Sequence, residues 1–600
     1  MSEIDDKIAE AYAREAAAAD ELAERTVRVA GGARGADSRI LDTIADTIAV
    51  GRYRYSPLMG WYRWTGALWS NDEAVLEQIT EEVRRHIDEV QRGYADQVAE
   101  LEIAGTAMLE QFFTEYGAEV EANPEIDGDL TLLPFGTTVG QWLVNPRRCP
   151  VPIADKERYY ALRTSYREAA DQAHLWYAAL NGRQISAVVG LLRGVHGVLT
   201  KVSEFNPDPA LLNVQNGVVE LRTGELRDHD PDLLMTAIAG AEYRPGASCA
   251  AWTAALAAVP SGCAEWFRIR MGQAATGHRP DDDVALLLHG TGANGKTTVL
   301  EALQRALGNY AGPVSPRVLI STSTDQHPTE FTDLFGLRMA VLEETPERAR
   351  LDVHALKRLS QPTIVARKMR RDDVAFPTTH TLLISSNYHP TIEARDHGTW
   401  RRLREMIFPF RFCRPTEAIE NPDVDRRGDP TLRARVLAGD PDVLAAALTW
   451  LVEGAKEWFA SGMVMPADPP EVAEATLKWR TGTDAGLRFA QDSLVAEPSA
   501  FITAEAMAFA LNQHLGETDR IGWSTTTINE RLAEGLSAAG ITCEATPRVS
   551  TRISKYMTES RPTGYNGEAA EPGKVLRVWK GVRLRIDRDP ADRKLRAVNG

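Results

Sequence analysis

The sequence predicts an α/β protein built on a parallel sheet, with helical regions before the sheet and a small mixed domain after it. Three observations lead there. Four short apolar runs recur in the middle of the chain: DDDVALLLHG (Asp281–Gly290), GLRMAVLEE (Gly336–Glu344), HTLLISSN (His380–Asn387) and REMIFPF (Arg404–Phe410). Helical patterns lie between them, and buried strands alternating with helices form a parallel sheet covered by those helices. The first run passes through a glycine-rich turn into TTVLEALQRALG (Thr297–Gly308), giving strand, loop and helix in succession.

A chain of 600 residues with 44% hydrophobic content can bury several cores. Residues 1–50 read as an acidic helical arm and linker, and 51–130 as an aromatic hairpin followed by a helical region. Residues 131–250 read as helical, ending in the strand-and-turn pattern LLNVQNGVVELRTGELRDHDP (Leu211–Pro231). The sheet domain spans 251–465, and the proline cluster Pro466-Ala467-Asp468-Pro469-Pro470 reads as a linker. Residues 471–600 hold helices, including Thr526–Gly540, then the strand-like Val575–Ile586 and a basic tail: a winged-helix-like pattern.

The net charge of -16 excludes a blanket nucleic-acid binder, so any nucleic-acid contact must be local. The five cysteines are far apart and show no zinc-finger spacing. The reducing cytoplasm fits them best. No apolar run reaches membrane-spanning length, so no membrane partner is expected.

In RYRYSPLMGWYRWTGALW (Arg52–Trp69), Trp61, Trp64 and Trp69 either stack on single-strand bases or make a small core. Gly290–Thr297 matches GxxxxGK[ST]. Gly290, Thr291, Gly292, Ala293, Asn294, Gly295, Lys296, Thr297 and Thr298 are the expected ATP-binding residues. The glycines let backbone N–H groups curl toward phosphate oxygens, and the following helix adds its positive end. Lys296 is expected at the β- and γ-phosphates, with Thr297 on Mg²⁺. The alternative is a glycine turn in some other α/β domain.

The run MAVLEE ends in Glu343 and Glu344. Glu343 is assigned to the metal and Glu344 to the attacking water, with the reverse assignment left open. Asn387, ending the third run, can orient that water. Arg401, Arg402 and Arg404 crowd the start of the fourth run, either as a salt-bridged surface or as a finger donated to a neighbouring subunit's ATP. Between the second and third runs, Arg367, Lys368, Arg370 and Arg371 make a cationic hairpin tip suited to a phosphate backbone; a solvated turn is the plainer reading.

Taken in order, FNPDPALLNVQNGVVELRTGELRDHDPDLLMT, LLLHGTGANGKTT, HPTEFTDLFGLRMAVLEE, LLISSNYHP and GTWRRLREMIFPF resemble the phage, plasmid and poxvirus-type primase-helicases. These are superfamily 3 helicases on an AAA+ fold, and the likeness runs from about Phe205 to Phe412. It implies an AAA+ motor at 251–465 and a helicase-associated domain at 131–250. Glu344 matches the family's typical glutamate, Arg402 the finger with Arg401 second, and Lys357 a further cation across the subunit boundary. The implied activity is ATP-dependent replicative DNA unwinding by a homo-oligomeric ring, a hexamer, with Mg²⁺. The implied partners are single-stranded and forked DNA and a primase or other replication proteins. An origin-melting initiator and a regulatory DNA-binding ATPase are the alternatives. Ser360-Gln361-Pro362 departs from the Gly-Gly-Asp step common after LKRL. Priming is not expected: the nearest acidic pair, Asp127-Gly128-Asp129, sits in a loop without a histidine.

Overall fold

The computed structural model describes residues 36–121, 138–144, 156–320, 328–343, 345–347, 349–367, 373–392, 397–515, 525–544, 546–548 and 550–585. The chain divides into two compact units, Met1–Pro207 with Asp230–Thr236, and Asp208–His229 with Ala237–Gly600.

In the first unit, strands β1 (Tyr53–Ser56), β2 (Gly60–Trp64) and β3 (Trp69–Ser70) form an antiparallel meander. Its aromatics are a core. Trp69 is fully buried and donates from Nε1 to the Pro231 carbonyl at 2.8 Å, while Tyr62 packs on Phe205. This satisfies the indole N–H that burial would otherwise strand. The helix Val75–Glu121 buries Ile79, Val83 and Ile87, one per turn, against Trp61, Trp176 and Leu192.

The second unit opens with the meander β4 (Leu211–Val214), β5 (Gly217–Glu220) and β6 (Glu225–Arg227). A five-stranded parallel sheet follows. Its strands are β7 (Ala285–His289), β8 (Ala311–Pro313), β9 (Met339–Glu343), β12 (Thr381–Ser386) and β13 (Leu403–Ile407), in the order β13-β7-β12-β9-β8. The four apolar runs supply four strands. The edge strand β8 was not expected: three residues, Ala-Gly-Pro, offer no apolar run. Leu286, Leu287 and Leu288 are fully buried because helices cover the sheet. Helices Ala264–Ala275 and Pro441–Ala460 approach closely at Gly272, where a Cβ would stand 2.2 Å from the Ala455 nitrogen.

Between β9 and β12, β10 (Thr363–Arg367) and β11 (Asp373–Pro377) form the expected antiparallel hairpin. Further on, β14 (Arg411–Cys413) pairs with β15 (Asp425–Arg427). The chain then builds a four-stranded sheet from β16 (Leu494–Thr503), β17 (Ser550–Arg552), β18 (Thr558–Glu559) and β19 (Val575–Leu584). Strand β16 was not foreseen; Pro498 and a register shift between Ala496 and Phe501 break its alternation. The helix Thr525–Ala538 buries Leu532 and Leu536 against this sheet's core, so one face at least is a packing face. No described helix is long and apolar enough to cross a membrane, and the four described cysteines are free thiols.

Candidate functional site

Strand β7 ends at His289, and Gly290–Gly295 turns the chain into the helix Lys296–Leu307. The turn is tight. Gly292, Ala293 and Gly295 have φ of 105°, 50° and 79°. Gly290 has no room for a side chain, since a Cβ there would lie 1.8 Å from Asn294 Nδ2. Asn294 is buried, its Oδ1 accepts from the Lys296 N–H at 3.3 Å, and its Nδ2 has no hydrogen-bond partner among the described residues.

Lys296 begins the helix and is buried at 4% exposure. Its ammonium donates to the Ser386 carbonyl at 2.8 Å and to Asn387 Oδ1 at 3.1 Å. Ser386 pairs with His289 across the β12–β7 ladder, and this register brings residues 91 positions apart together. Thr297 and Asn387 are exposed at this edge. Glu343 ends β9, faces solvent and accepts from Gln304 Nε2 at 3.0 Å, so it is tied to the same helix as Lys296.

A cavity of about 370 Å³ opens over the loop. Residues 292–298 and Asn387 form one side of it; Ala258, Phe412, Arg427 and Arg433 form another. The Phe412 N–H donates to the Ala293 carbonyl at 2.7 Å and joins the two sides. Sequence reasoning missed Arg427 and Arg433, because no spacing marks them. A larger cavity, about 1020 Å³, lies among Asp492, His514, Glu559, Arg561 and Arg583 beside β16 and β19. Its lining holds no glycine loop and no buried lysine, so the smaller cavity is the candidate site.

The glycine turn, the exposed Thr297 and the exposed Glu343 share one sheet edge and fit a nucleotide phosphate chain with its Mg²⁺.

Other predicted residues lie elsewhere. Arg402 precedes Leu403, which pairs with Ala285 at the start of β7, so it stands at the opposite end of the sheet. It bonds the Gly398 carbonyl at 2.6 Å and Asp283 at 3.3 Å. Arg401 beside it is exposed. Lys357 lies in the last turn of the helix Val353–Leu359. Arg367 ends β10. Glu344, Lys368, Arg370, Arg371 and the Asp127-Gly128-Asp129 segment lie outside the described residues.

The five-stranded parallel sheet, with a glycine loop and a buried lysine at its carboxyl edge, makes this a mixed α/β protein. Residues 38–259 match the family described as D5 N terminal like, and 288–402 match a family of unknown function. C962R of African swine fever virus (strain Badajoz 1971 Vero-adapted), a primase by name, is 31% identical over 36% of this chain and 23% of its own length. L207/L206 of Acanthamoeba polyphaga mimivirus, a helicase by name, is 23% identical over 62% of this chain and 40% of its own. The chain thus matches well under half of either relative. The solved apo structure of the NrS-1 C terminal region covers 66% of this chain and 90% of its own, at 12% identity and a TM-score of 0.35. The chain is thus similar to viral proteins that carry the names primase and helicase, and its residues 38–259 match the D5 N terminal like family.

Proposed function

We propose that the chain is an ATP-dependent replicative DNA helicase, copies of which form a hexameric ring that moves along one DNA strand and unwinds the duplex. The observation that supports it most is the contact of Lys296 with Asn387 beside the loop cavity. A lysine and an amide there can hold the terminal phosphate and the attacking water in one geometry. Thr297 and Glu343 hold Mg²⁺, which neutralises developing phosphate charge. Glu344 polarises the water. Arg402, with Arg401 beside it and Lys357 as a further cation, serves the neighbouring copy's ATP. This agrees with its position at the far end of the sheet from its own loop. Arg367 at the end of β10, with Lys368, Arg370 and Arg371 after it in sequence, follows the phosphate backbone of the single strand. A primase or other replication proteins complete the machinery. No priming step belongs to this reading.

Strand displacement on a forked substrate tests it, with wild type, Lys296→Ala and Arg402→Ala. Wild type is expected to unwind with ATP and Mg²⁺, and both variants to lose unwinding. A mixture of the two variants should regain part of the ATPase, because one supplies the loop and the other the arginine. A wild type that hydrolyses ATP without unwinding would instead be an origin-melting initiator or a regulatory DNA-binding ATPase. Full DNA-stimulated ATPase in Arg402→Ala would remove the finger assignment.

A further inference from the structure

Two histidines and a glutamate, from the end of β7, the loop after β12 and the middle of β13, converge beneath the glycine loop. His289 is the last residue of β7, next to Gly290. Glu405 lies in β13, which pairs with β7. His389 follows Asn387 by two residues in the loop after β12. Glu405 Oε1 is 2.7 Å from His389 Nε2 and 3.1 Å from His289 Nδ1. The two imidazoles stack with centroids 4.1 Å apart. Among the described residues, this is the one group of three whose donor atoms all lie within 4.8 Å of one another.

Several details set the cluster apart from a chance contact. The Glu405 side chain is 2% exposed, His289 16% and His389 41%, so the group has a closed floor and one open side. His289 Nδ1 is buried but makes no aligned hydrogen bond among the described residues, despite its closeness to Oε1. An outer layer fixes the ligands: the Glu405 N–H donates to Thr476 Oγ1 at 2.9 Å. Trp479 stacks near His389 and donates to the Pro390 carbonyl at 3.2 Å.

We propose that His289, His389 and Glu405 form a zinc site with a fourth position open to solvent. Two imidazole nitrogens and one carboxylate oxygen are a donor set zinc takes. Tetrahedral bonds of about 2.0–2.2 Å put neighbouring ligands about 3.3 Å apart, so the cluster needs to open by about half an ångström. Bound zinc ties the start of the glycine loop, the loop carrying Asn387 and β13 into one rigid corner. Sequence spacing hides the site, since its ligands are 100 and 16 residues apart, from His289 to His389 and from His389 to Glu405. The site is independent of the nucleotide reading, because zinc binding is measured without ATP.

The test is titration of the chelator-treated full chain with Zn²⁺ by calorimetry and with Co²⁺ by visible absorption. Wild type should bind one Zn²⁺ per chain and give visible Co²⁺ bands of a tetrahedral site. His389→Ala and Glu405→Gln should each weaken zinc at least tenfold and erase those bands. His389→Cys should keep both and add a thiolate-to-cobalt band. His380→Phe, a buried histidine elsewhere, should bind as wild type does. His389 is in an exposed loop, so its variants carry the test even where Glu405→Gln fails to fold. No stoichiometric zinc on wild type, or unchanged zinc in His389→Ala, overturns the proposal and leaves a histidine–carboxylate contact only.

Discussion

At its carboxyl end the parallel sheet runs out into glycines and short polar side chains; at its amino end it begins among ion pairs. The carboxyl end has Gly290, Gly292, Gly295 and Asn387 around Lys296, whose ammonium rests on neutral oxygens of Ser386 and Asn387. At the amino end Arg270, 1% exposed, grips Asp282 with both terminal nitrogens, and Asp283 takes Arg279 and Arg402. A cation already matched to a carboxylate must first leave it. The carboxyl end is the readier one for a ligand, with Lys296 beside a cavity lined by the glycine loop, and the amino end is locked, since Arg402 would have to leave Asp283 before it met another anion.

The strongest way to break the contrast is to remove the cation from the ready end. Lys296→Ala is expected to lower ATP turnover by about 100-fold or more. Thermal melting, followed beside the ATPase assay, should move far less than the rate. An equal loss of both would make Lys296 a packing residue.

A titratable group probes the locked end. His380 precedes β12 and borders a cavity of about 20 Å³ with Arg279, Asp283 and Ser360. Neither ring nitrogen has a hydrogen-bond partner among the described residues, and burial pushes its pKa down to about 4. The unfolded chain takes up this proton near pH 6.5, the folded chain only near pH 4. Its contribution is whole above pH 6.5, drains away as pH falls through that window, and levels off below it. The loss is on the order of 3 kcal/mol. Urea melts at pH 7 and pH 4.5 should show it in wild type, and His380→Phe should flatten the difference. An unchanged pH dependence in His380→Phe would place the acid sensitivity in other groups.

Returning to the open end, Gly295 holds φ of 79°, and a Cβ there would come 2.7 Å from Ala258 Cβ. Gly295→Ala is expected to cost about 2 kcal/mol from the left-handed backbone and this contact. Gly292→Ala meets no atom within 4 Å, so it should cost less, from its φ of 105° alone. Chemical melts of both variants give the order, and ATP binding should weaken in the same order.

Much of this frame is legible in the sequence, and its limits are physical. Apolar runs mark β7, β9 and β12 because strands buried on both faces need no alternation, while β13 carries Arg404 and Glu405 within it. The edge strand β8 is held through its pairing with β9, which local pattern cannot show. The glycine spacing announces a tight loop, but the meeting of Lys296 with Asn387 depends on strand register. Trp69 was open between base stacking and core until a carbonyl 162 residues on, at Pro231, met its indole. In sequence Asp281, Asp282 and Asp283 are only the start of the run DDDVALLLHG. Two of them are counter-ions, one to an arginine 119 residues away, and no window of sequence contains both partners.

That last pair gives the smallest and most direct test of the comparison. Asp283 has φ of 56°, a backbone that asparagine accepts as readily as aspartate, so Asp283→Asn removes charge without straining the turn. Arg279 and Arg402 then face each other over a neutral amide. Both Arg402 and Asp283 retain 16% exposure, so solvent softens the loss, which is expected to be about 1 kcal/mol in chemical melts. Function should respond in the other direction. With Asp283 no longer competing, Arg402 reaches a neighbouring copy's nucleotide more readily, and the DNA-stimulated ATPase of the assembled ring should hold or rise severalfold. Arg402→Ala in the same background should abolish that gain. A fall in ATPase in Asp283→Asn, with folding intact, would mean that the ion pair positions Arg402 for its work and that the amino end is built for use as it stands.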